Sequence, residues 1–159
     1  MSRAKILIVE DERIVANDLR GRLDRIGYDV VGMACTGEDA IARAREHLPD
    51  IVLMDITLKG TMDGVAAAEE IGRVSDIPVI FMTAHSDDVT LQRAKLTGPF
   101  GYILKPLEER ELHTTIEMAL YKSTMDRRLR ENERWLSTTL GSIADAVITT
   151  DAAGLIRLV

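Results

Sequence analysis

Three features of the sequence predict an α/β fold built on a doubly wound, five-stranded parallel sheet. Short, wholly apolar runs such as Ile51-Val52-Leu53-Met54 have the composition of strands covered on both faces. Segments with helical apolar spacing alternate with these runs over short links. Several of the runs end in a charged or hydroxyl residue. In a parallel sheet that position emerges at the carboxyl rim, where open α/β sheets bind their ligands.

The first strand is predicted over residues 4–9. A helix follows over 12–26, with Ile14, Val15, Leu19, Leu23 and Ile26 at helical spacing and Gly27 as its stop. A second strand lies near residues 28–34, and Thr36-Gly37-Glu38-Asp39 starts a helix through His47 that Leu48-Pro49 ends. The third strand is 51–54, and the loop Lys59–Asp63 leads to a helix from about Gly64 to Arg73. Asp76-Ile77-Pro78 introduces the fourth strand, 79–82. Ser86-Asp87-Asp88 caps a fourth helix through Leu96, and Thr97-Gly98-Pro99 turns into a fifth strand, 100–104. Pro106-Leu107-Glu108 opens a fifth helix, since proline is favoured in a first helical turn.

That last helix runs on past the end of a compact domain, to about residue 142, with Gly141 its only Pro or Gly after Glu108. Leu129, Leu136 and Ile143 recur every seven residues with Leu140 between them, but Asp126 and Glu133 occupy the other seam positions of that heptad. A solvated connecting helix and a parallel helix pair in a dimer both fit. Arg127, Arg128, Arg130 and Arg134 are interleaved with Glu131 and Glu133, the pattern of a charged helix face. Beyond the helix, residues 146–150 and 155–159 flank Asp151-Ala152-Ala153-Gly154 and predict a β-hairpin. A lone hairpin is marginal in water, so it reads as the opening of a second domain. The expected organisation is a domain over 1–122, a connecting helix (a coiled-coil candidate) over 123–142, and a domain fragment over 143–159.

The apolar fraction of 46% and charged fraction of 29% describe a globular chain, not a disordered one. A net charge of −6 offers no general attraction to phosphate backbones or anionic lipid, so neither direct nucleic-acid binding nor membrane binding is expected. No apolar run reaches the roughly 20 residues of a membrane helix. The single Cys35 cannot form an internal disulfide, and the expected location is the cytoplasm.

The chemistry lies in what the strand ends carry: Glu10-Asp11 after the first, Asp55 after the third, Thr83 after the fourth, Lys105-Pro106 after the fifth. Carboxylates about 5 Å apart repel by roughly 3 kcal/mol per pair at an effective dielectric near 20. Such a cluster calls for a cation, and hard oxygen donors at a half-wet rim suit Mg²⁺. Lys105 balances charge from the other side, and Thr83 offers a hydroxyl to a phosphoryl oxygen. An Asp held between a divalent cation and an ammonium is a competent nucleophile toward activated phosphorus.

These motifs together resemble the response-regulator receiver domain of two-component phosphorelay signalling, over residues 4 to about 122. The matching positions are the acidic pair Glu10-Asp11, the phosphoacceptor Asp55, the hydroxyl Thr83, the aromatic switch Tyr102 and Lys105-Pro106. The resemblance implies a flavodoxin-like sheet of order 2-1-3-4-5 and a cis Lys105–Pro106 bond. It implies Mg²⁺ on Asp11, Asp55 and the Thr57 carbonyl, with Glu10 acting partly through water, where the family more often has Asp. It implies a sensor histidine kinase as phosphoryl donor. It also implies a switch in which Thr83 is drawn to the phosphorylated Asp55 and Tyr102 moves inward. The face of the fourth helix, fifth strand and fifth helix would then change its preference for partners, with a homodimer formed through that face and the long last helix. Residues 143–159 resemble the first strands of a PAS sensor domain.

Two other classes compete. A flavodoxin-like cofactor binder would need a Gly/Ser/Thr-rich phosphate loop after the first strand, and Glu10-Asp11-Glu12 would repel a phosphate there. A receiver that works without phosphorylation, as a dimerisation or docking module, keeps the same residues. His85, close to Thr83, is either a solvated loop residue or a modulator of water access. His47 and His113 lack a companion at metal-ligand spacing and read as helix-surface residues.

Overall fold

The computed structural model describes residues 3–84 and 101–150, with side chains described as far as Trp135. Five parallel strands, β1 (Lys5–Val9), β2 (Asp29–Ala34), β3 (Ile51–Asp55), β4 (Val79–Thr83) and β5 (Gly101–Leu104), form one sheet in the order β2-β1-β3-β4-β5. The described helices are α1 (Arg13–Ile26), α2 (Gly37–His47), α3 (Gly64–Val74) and α4 (Glu109–Thr150). The chain divides into two compact units, Met1–Ser123 and Thr124–Val159. The helix predicted over 86–96, the turn at 97–99, His85 and the hairpin turn and second strand after residue 150 lie outside the described residues.

Strand alternation explains the two helical layers. Leu7, Val9, Val52, Met54, Val79 and Phe81 point to one face and pack with Ala40 and Ala44 of α2 and Val65, Ala67 and Ile71 of α3. Their neighbours Ile6, Ile8, Ile51, Leu53, Ile80 and Met82 point to the other and pack with Leu19 and Leu23 of α1 and Leu112 and Ile116 of α4. Both strand faces are therefore apolar, and β3 and β4 are buried at every residue. The helix ends follow local chemistry. Gly27 closes α1 at φ +103, its N–H donating to the Leu23 and Asp24 carbonyls. Thr36 and Asp63 cap α2 and α3 by accepting from the Asp39 and Ala66 N–H groups. Leu48 ends α2 in the left-handed region at φ +46, just before Pro49.

Two expectations are corrected. Pro106 does not open the last helix. Lys105 N–H still donates to the Thr83 carbonyl, continuing the strand, and the first helical bond runs from Leu112 N–H to the Glu108 carbonyl, so α4 begins at Glu109. The strand predicted over 146–150 is helix, since α4 continues to Thr150. Extending an existing helix adds one hydrogen bond per residue fixed, whereas an isolated hairpin is marginal, so the β-branched run there does not decide the outcome.

The base of α4 is tied to the sheet by a polar cluster. The buried Tyr28 hydroxyl donates to Glu117 Oε1 at 2.5 Å and lies 3.0 Å from His113 Nδ1. With its proton committed to Glu117, the hydroxyl oxygen can only accept, so His113 carries its proton on Nδ1. Burial first, and then the Glu117 charge, push the Tyr28 hydroxyl well above its ordinary pKa. His113 is thus a structural partner as well as a helix-surface residue. Arg25 pairs with Glu109 at 2.6 Å, and Arg22 Nη1 donates to the Leu107 carbonyl at 2.5 Å. Tyr28→Phe is expected to lower unfolding stability by about 1.5–3 kcal/mol, the range for a hydrogen bond to a charged group. Urea unfolding should show a lower midpoint at an unchanged m-value.

Candidate functional site

In-register pairing brings the carboxyl ends of four strands together: Val9 faces Met54, Asp55 faces Met82, and Thr83 faces Leu104. Each polar residue at or just after those ends therefore reaches one rim. Asp55 is only 6% exposed and Glu10 only 2%, so both carboxylates are nearly withdrawn from water. Lys105 Nζ donates to both, at 2.9 Å to Asp55 Oδ2 and 3.1 Å to Glu10 Oε2. The second oxygen of each is also engaged: Asp55 Oδ1 accepts from Thr57 N–H at 3.0 Å and Glu10 Oε1 from Glu12 N–H at 3.2 Å. Asp11, less buried, accepts from Lys59 N–H at 3.2 Å.

Glu10, Asp11 and Asp55 each present a carboxylate oxygen within 4.8 Å of the others. Three carboxylates and one ammonium leave negative charge in excess, and the all-oxygen donor set fits a hard divalent cation such as Mg²⁺. Burial, reinforced by the Asp55 charge against the opposing Glu12 N–H bond, pushes the Glu10 carboxyl up to about 7. Desolvation lowers Lys105, but the Asp55 and Glu10 carboxylates outweigh it, and the ammonium is held above its usual value.

Thr83, buried at the end of β4, donates its hydroxyl to the Ala84 carbonyl at 3.0 Å. Tyr102 on β5 stacks near Phe81, with ring centroids 6.2 Å apart. Its hydroxyl is buried and lacks a hydrogen-bond partner among the described residues, and burial raises its pKa. The ring already packs against the core cluster in this structure. Thr57 enters the site through its backbone N–H, while the residue itself is exposed. The Lys105–Pro106 peptide bond is cis.

Sequence reasoning placed Gly64 at a helix start and missed its second task. A Cβ built there would lie 2.1 Å from the Asp55 carbonyl oxygen, so the start of α3 passes directly over the backbone of the site. An Asp-Gly pair three to four residues after a turn signals a capped helix, but nothing local signals this close approach.

Two outcomes follow from the geometry. Gly64→Ala must displace the Asp55 backbone, at roughly 1–3 kcal/mol of stability, with changed NMR shifts at Asp55 and Thr57. The folded state holds the Glu10 proton more tightly than the unfolded chain does, because the folded value of about 7 lies above the ordinary 4.5. That contribution is complete below pH 4.5 and is lost as pH rises through 7. In metal-free buffer the wild-type Tm should therefore fall by about 5 °C or more over this range relative to Glu10→Gln, as differential scanning calorimetry would show.

The family model described as the response regulator receiver domain matches residues 6–117. The transcriptional regulatory protein PdtaR of Mycobacterium tuberculosis is 36% identical over 116 residues, covering 73% of this chain and 56% of PdtaR. The transcriptional regulatory protein AfsQ1 of Streptomyces coelicolor is 31% identical over 138 residues, covering 87% of this chain and 57% of AfsQ1. The chain thus spans about half the length of the curated relatives it matches. Among solved structures, the signal receiver domain of a modulated diguanylate cyclase from Desulfovibrio desulfuricans G20 superposes with a TM-score of 0.75 at 43% identity, covering 79% of this chain and 99% of that one. The N-terminal domain of a response regulator/sensory box/GGDEF three-domain protein from Carboxydothermus hydrogenoformans gives 0.71 at 38% identity, covering 77% and 98%. With the family model spanning most of the sheet and its helices, this chain belongs to the response regulator receiver domain family.

Proposed function

We propose that this chain is a phosphoacceptor signalling domain that takes a phosphoryl group from a sensor histidine kinase onto Asp55. The observation that carries the reading is a buried Asp55 carboxylate 2.9 Å from the Lys105 ammonium, beside two further carboxylates at the same rim. An Asp55 carboxylate oxygen forms the new O–P bond while the P–N bond of the kinase's phosphohistidine breaks, the imidazole nitrogen keeping the electron pair. Lys105 takes up charge on the transferred oxygens. Thr83 exchanges its hydrogen bond to the Ala84 carbonyl for one to a phosphoryl oxygen.

Asp11, Asp55 and the Thr57 carbonyl, with Glu10 directly or through water, would hold Mg²⁺. When bound, the ion offsets repulsion between the carboxylate and the incoming phosphoryl group. The chain's own chemistry is then confined to gaining and losing this one group. Tyr102 and Thr83 act as the switch pair: the Tyr102 hydroxyl lacks a hydrogen-bond partner among the described residues, and its ring packs beside Phe81, two residues before Thr83, which supports a ring free to respond when Thr83 moves.

Downstream, the phosphorylated state controls homodimerisation through the face of the helix predicted over 86–96, β5 and α4. It acts through the long helix on a further module. The protein from Carboxydothermus hydrogenoformans, with a sensory box after its receiver, supports a PAS-like module in that place. The acidic balance supports protein partners over nucleic acid or membrane, and among the described residues no helix is long and apolar enough to cross a membrane. The free Cys35 suits a cytoplasmic setting. A receiver working by docking alone is the competing reading.

Incubation with acetyl phosphate and Mg²⁺ separates the two. Phos-tag electrophoresis should retard the wild type and not Asp55→Ala, while Lys105→Ala should be modified at least tenfold more slowly. An unretarded wild type would leave the docking reading in its place.

A further inference from the structure

Within the second unit, Thr124–Thr150 is a single helix with no second element to pack against among the described residues. Helices in water draw most of their stability from an apolar face packed on a partner. Met125 and Leu129, one turn apart, are apolar and exposed, at 43% and 58%. Their spacing of four defines a heptad frame that continues through positions 132, 136, 139 and 143 at alternating intervals of three and four. The occupants of these four positions are Asn132, Leu136, Thr139 and Ile143. The other frame, with Asp126 and Glu133 in the seam, would face like charges against each other in any self-pairing.

We propose that this stripe is the seam of a parallel, in-register two-helix coiled coil formed with a second copy of this chain, its register set by Asn132 and by Arg128–Glu133 pairing between copies. The proposal deepens the dimer of the proposed function and rests on it. In this frame Arg128 flanks the seam on one side and Asp126 and Glu133 flank it on the other. A parallel pair brings a residue on the Arg128 side of the seam against the one five positions later on the partner, so Arg128 meets the partner's Glu133 on both sides of the dimer. An antiparallel pair would instead set the acidic side, Asp126 and Glu133, against itself. Asn132, polar in a mostly apolar seam, is satisfied by the same residue of an in-register copy, whereas a slip of one heptad would set one copy's Asn132 against the apolar Met125 and the other's against Thr139.

The test uses the full chain with Asp55 treated by beryllofluoride. Sedimentation equilibrium should show a dimer. Arg128→Glu should weaken it about tenfold, turning two attractive contacts repulsive, and Arg128→Glu with Glu133→Arg should restore it. In a Cys35→Ser background, Asn132→Cys should cross-link across the dimer readily, and Arg127→Cys, on the outer face, should not. A monomer under these conditions overturns the proposal. So does a dimer insensitive to the charge reversal, or one that cross-links equally at both positions. Phos-tag retardation, read in parallel, distinguishes failure of the coiled coil from failure of phosphoryl transfer. A chain that is phosphorylated but monomeric sinks only the coiled coil, whereas one that dimerises without phosphorylation sinks only the phosphoacceptor reading.

Discussion

The arrangement hinges on a single ammonium shared by two nearly buried carboxylates. Glu10 and Asp55 could not both be withdrawn from water at adjacent strand ends without compensation, because each desolvated charge costs several kcal/mol. Lys105 supplies it from a position 95 residues from Glu10 and 50 from Asp55. The contact therefore exists only once β1, β3, β4 and β5 are side by side. It is also incomplete, since three carboxylates gather at the rim with one ammonium, and burial, reinforced by the Asp55 charge, raises the Glu10 carboxyl. A site that is short of positive charge in its resting fold is disposed to take up a cation.

The same short stretch that closes the site also starts the outgoing helix. Ile103 of β5 belongs to the core on the α1 and α4 face, and Tyr102 packs with the core on the other face. Lys105 follows one residue after the strand, and α4 begins four residues later. Any movement of β5 relative to β4, where Lys105 N–H meets the Thr83 carbonyl at 2.8 Å, thus bears on the site, the aromatic ring and the first turn of α4 together. Tyr28, Glu117 and His113 pin the next turns of that helix to the start of β2. Close-packed interiors respond to such shifts by changing between discrete packings, not by yielding gradually.

The sequence by itself determined the local elements and the identity of the polar groups. Short, wholly apolar runs ending in Asp55, Thr83 and Lys105 are signals of strands covered on both faces, and Gly27, Thr36 and Asp63 mark helix ends through their own backbone or side-chain chemistry. These are short-range effects, so they are legible within a window of a few residues. Glu10, Asp11, Asp55 and Lys105 were legible as a group because parallel strands share one carboxyl rim, a regularity of the architecture. Where local preference was followed too far, in the β-branched residues of 146–150 and in Pro106 as a helix opener, a continuing backbone hydrogen-bond ladder overruled it.

Tertiary structure alone decided which groups touch. That Lys105 bridges Glu10 and Asp55, that Thr83 is held by its own neighbour's carbonyl, that Gly64 must lack a side chain to clear the Asp55 carbonyl, and that His113 serves Tyr28 are all relations across the chain. Periodicity places a residue on a face but carries no distance between faces. Ångström separations, and the pKa and charge balance that depend on them, come into being only when the sheet closes and its helices pack.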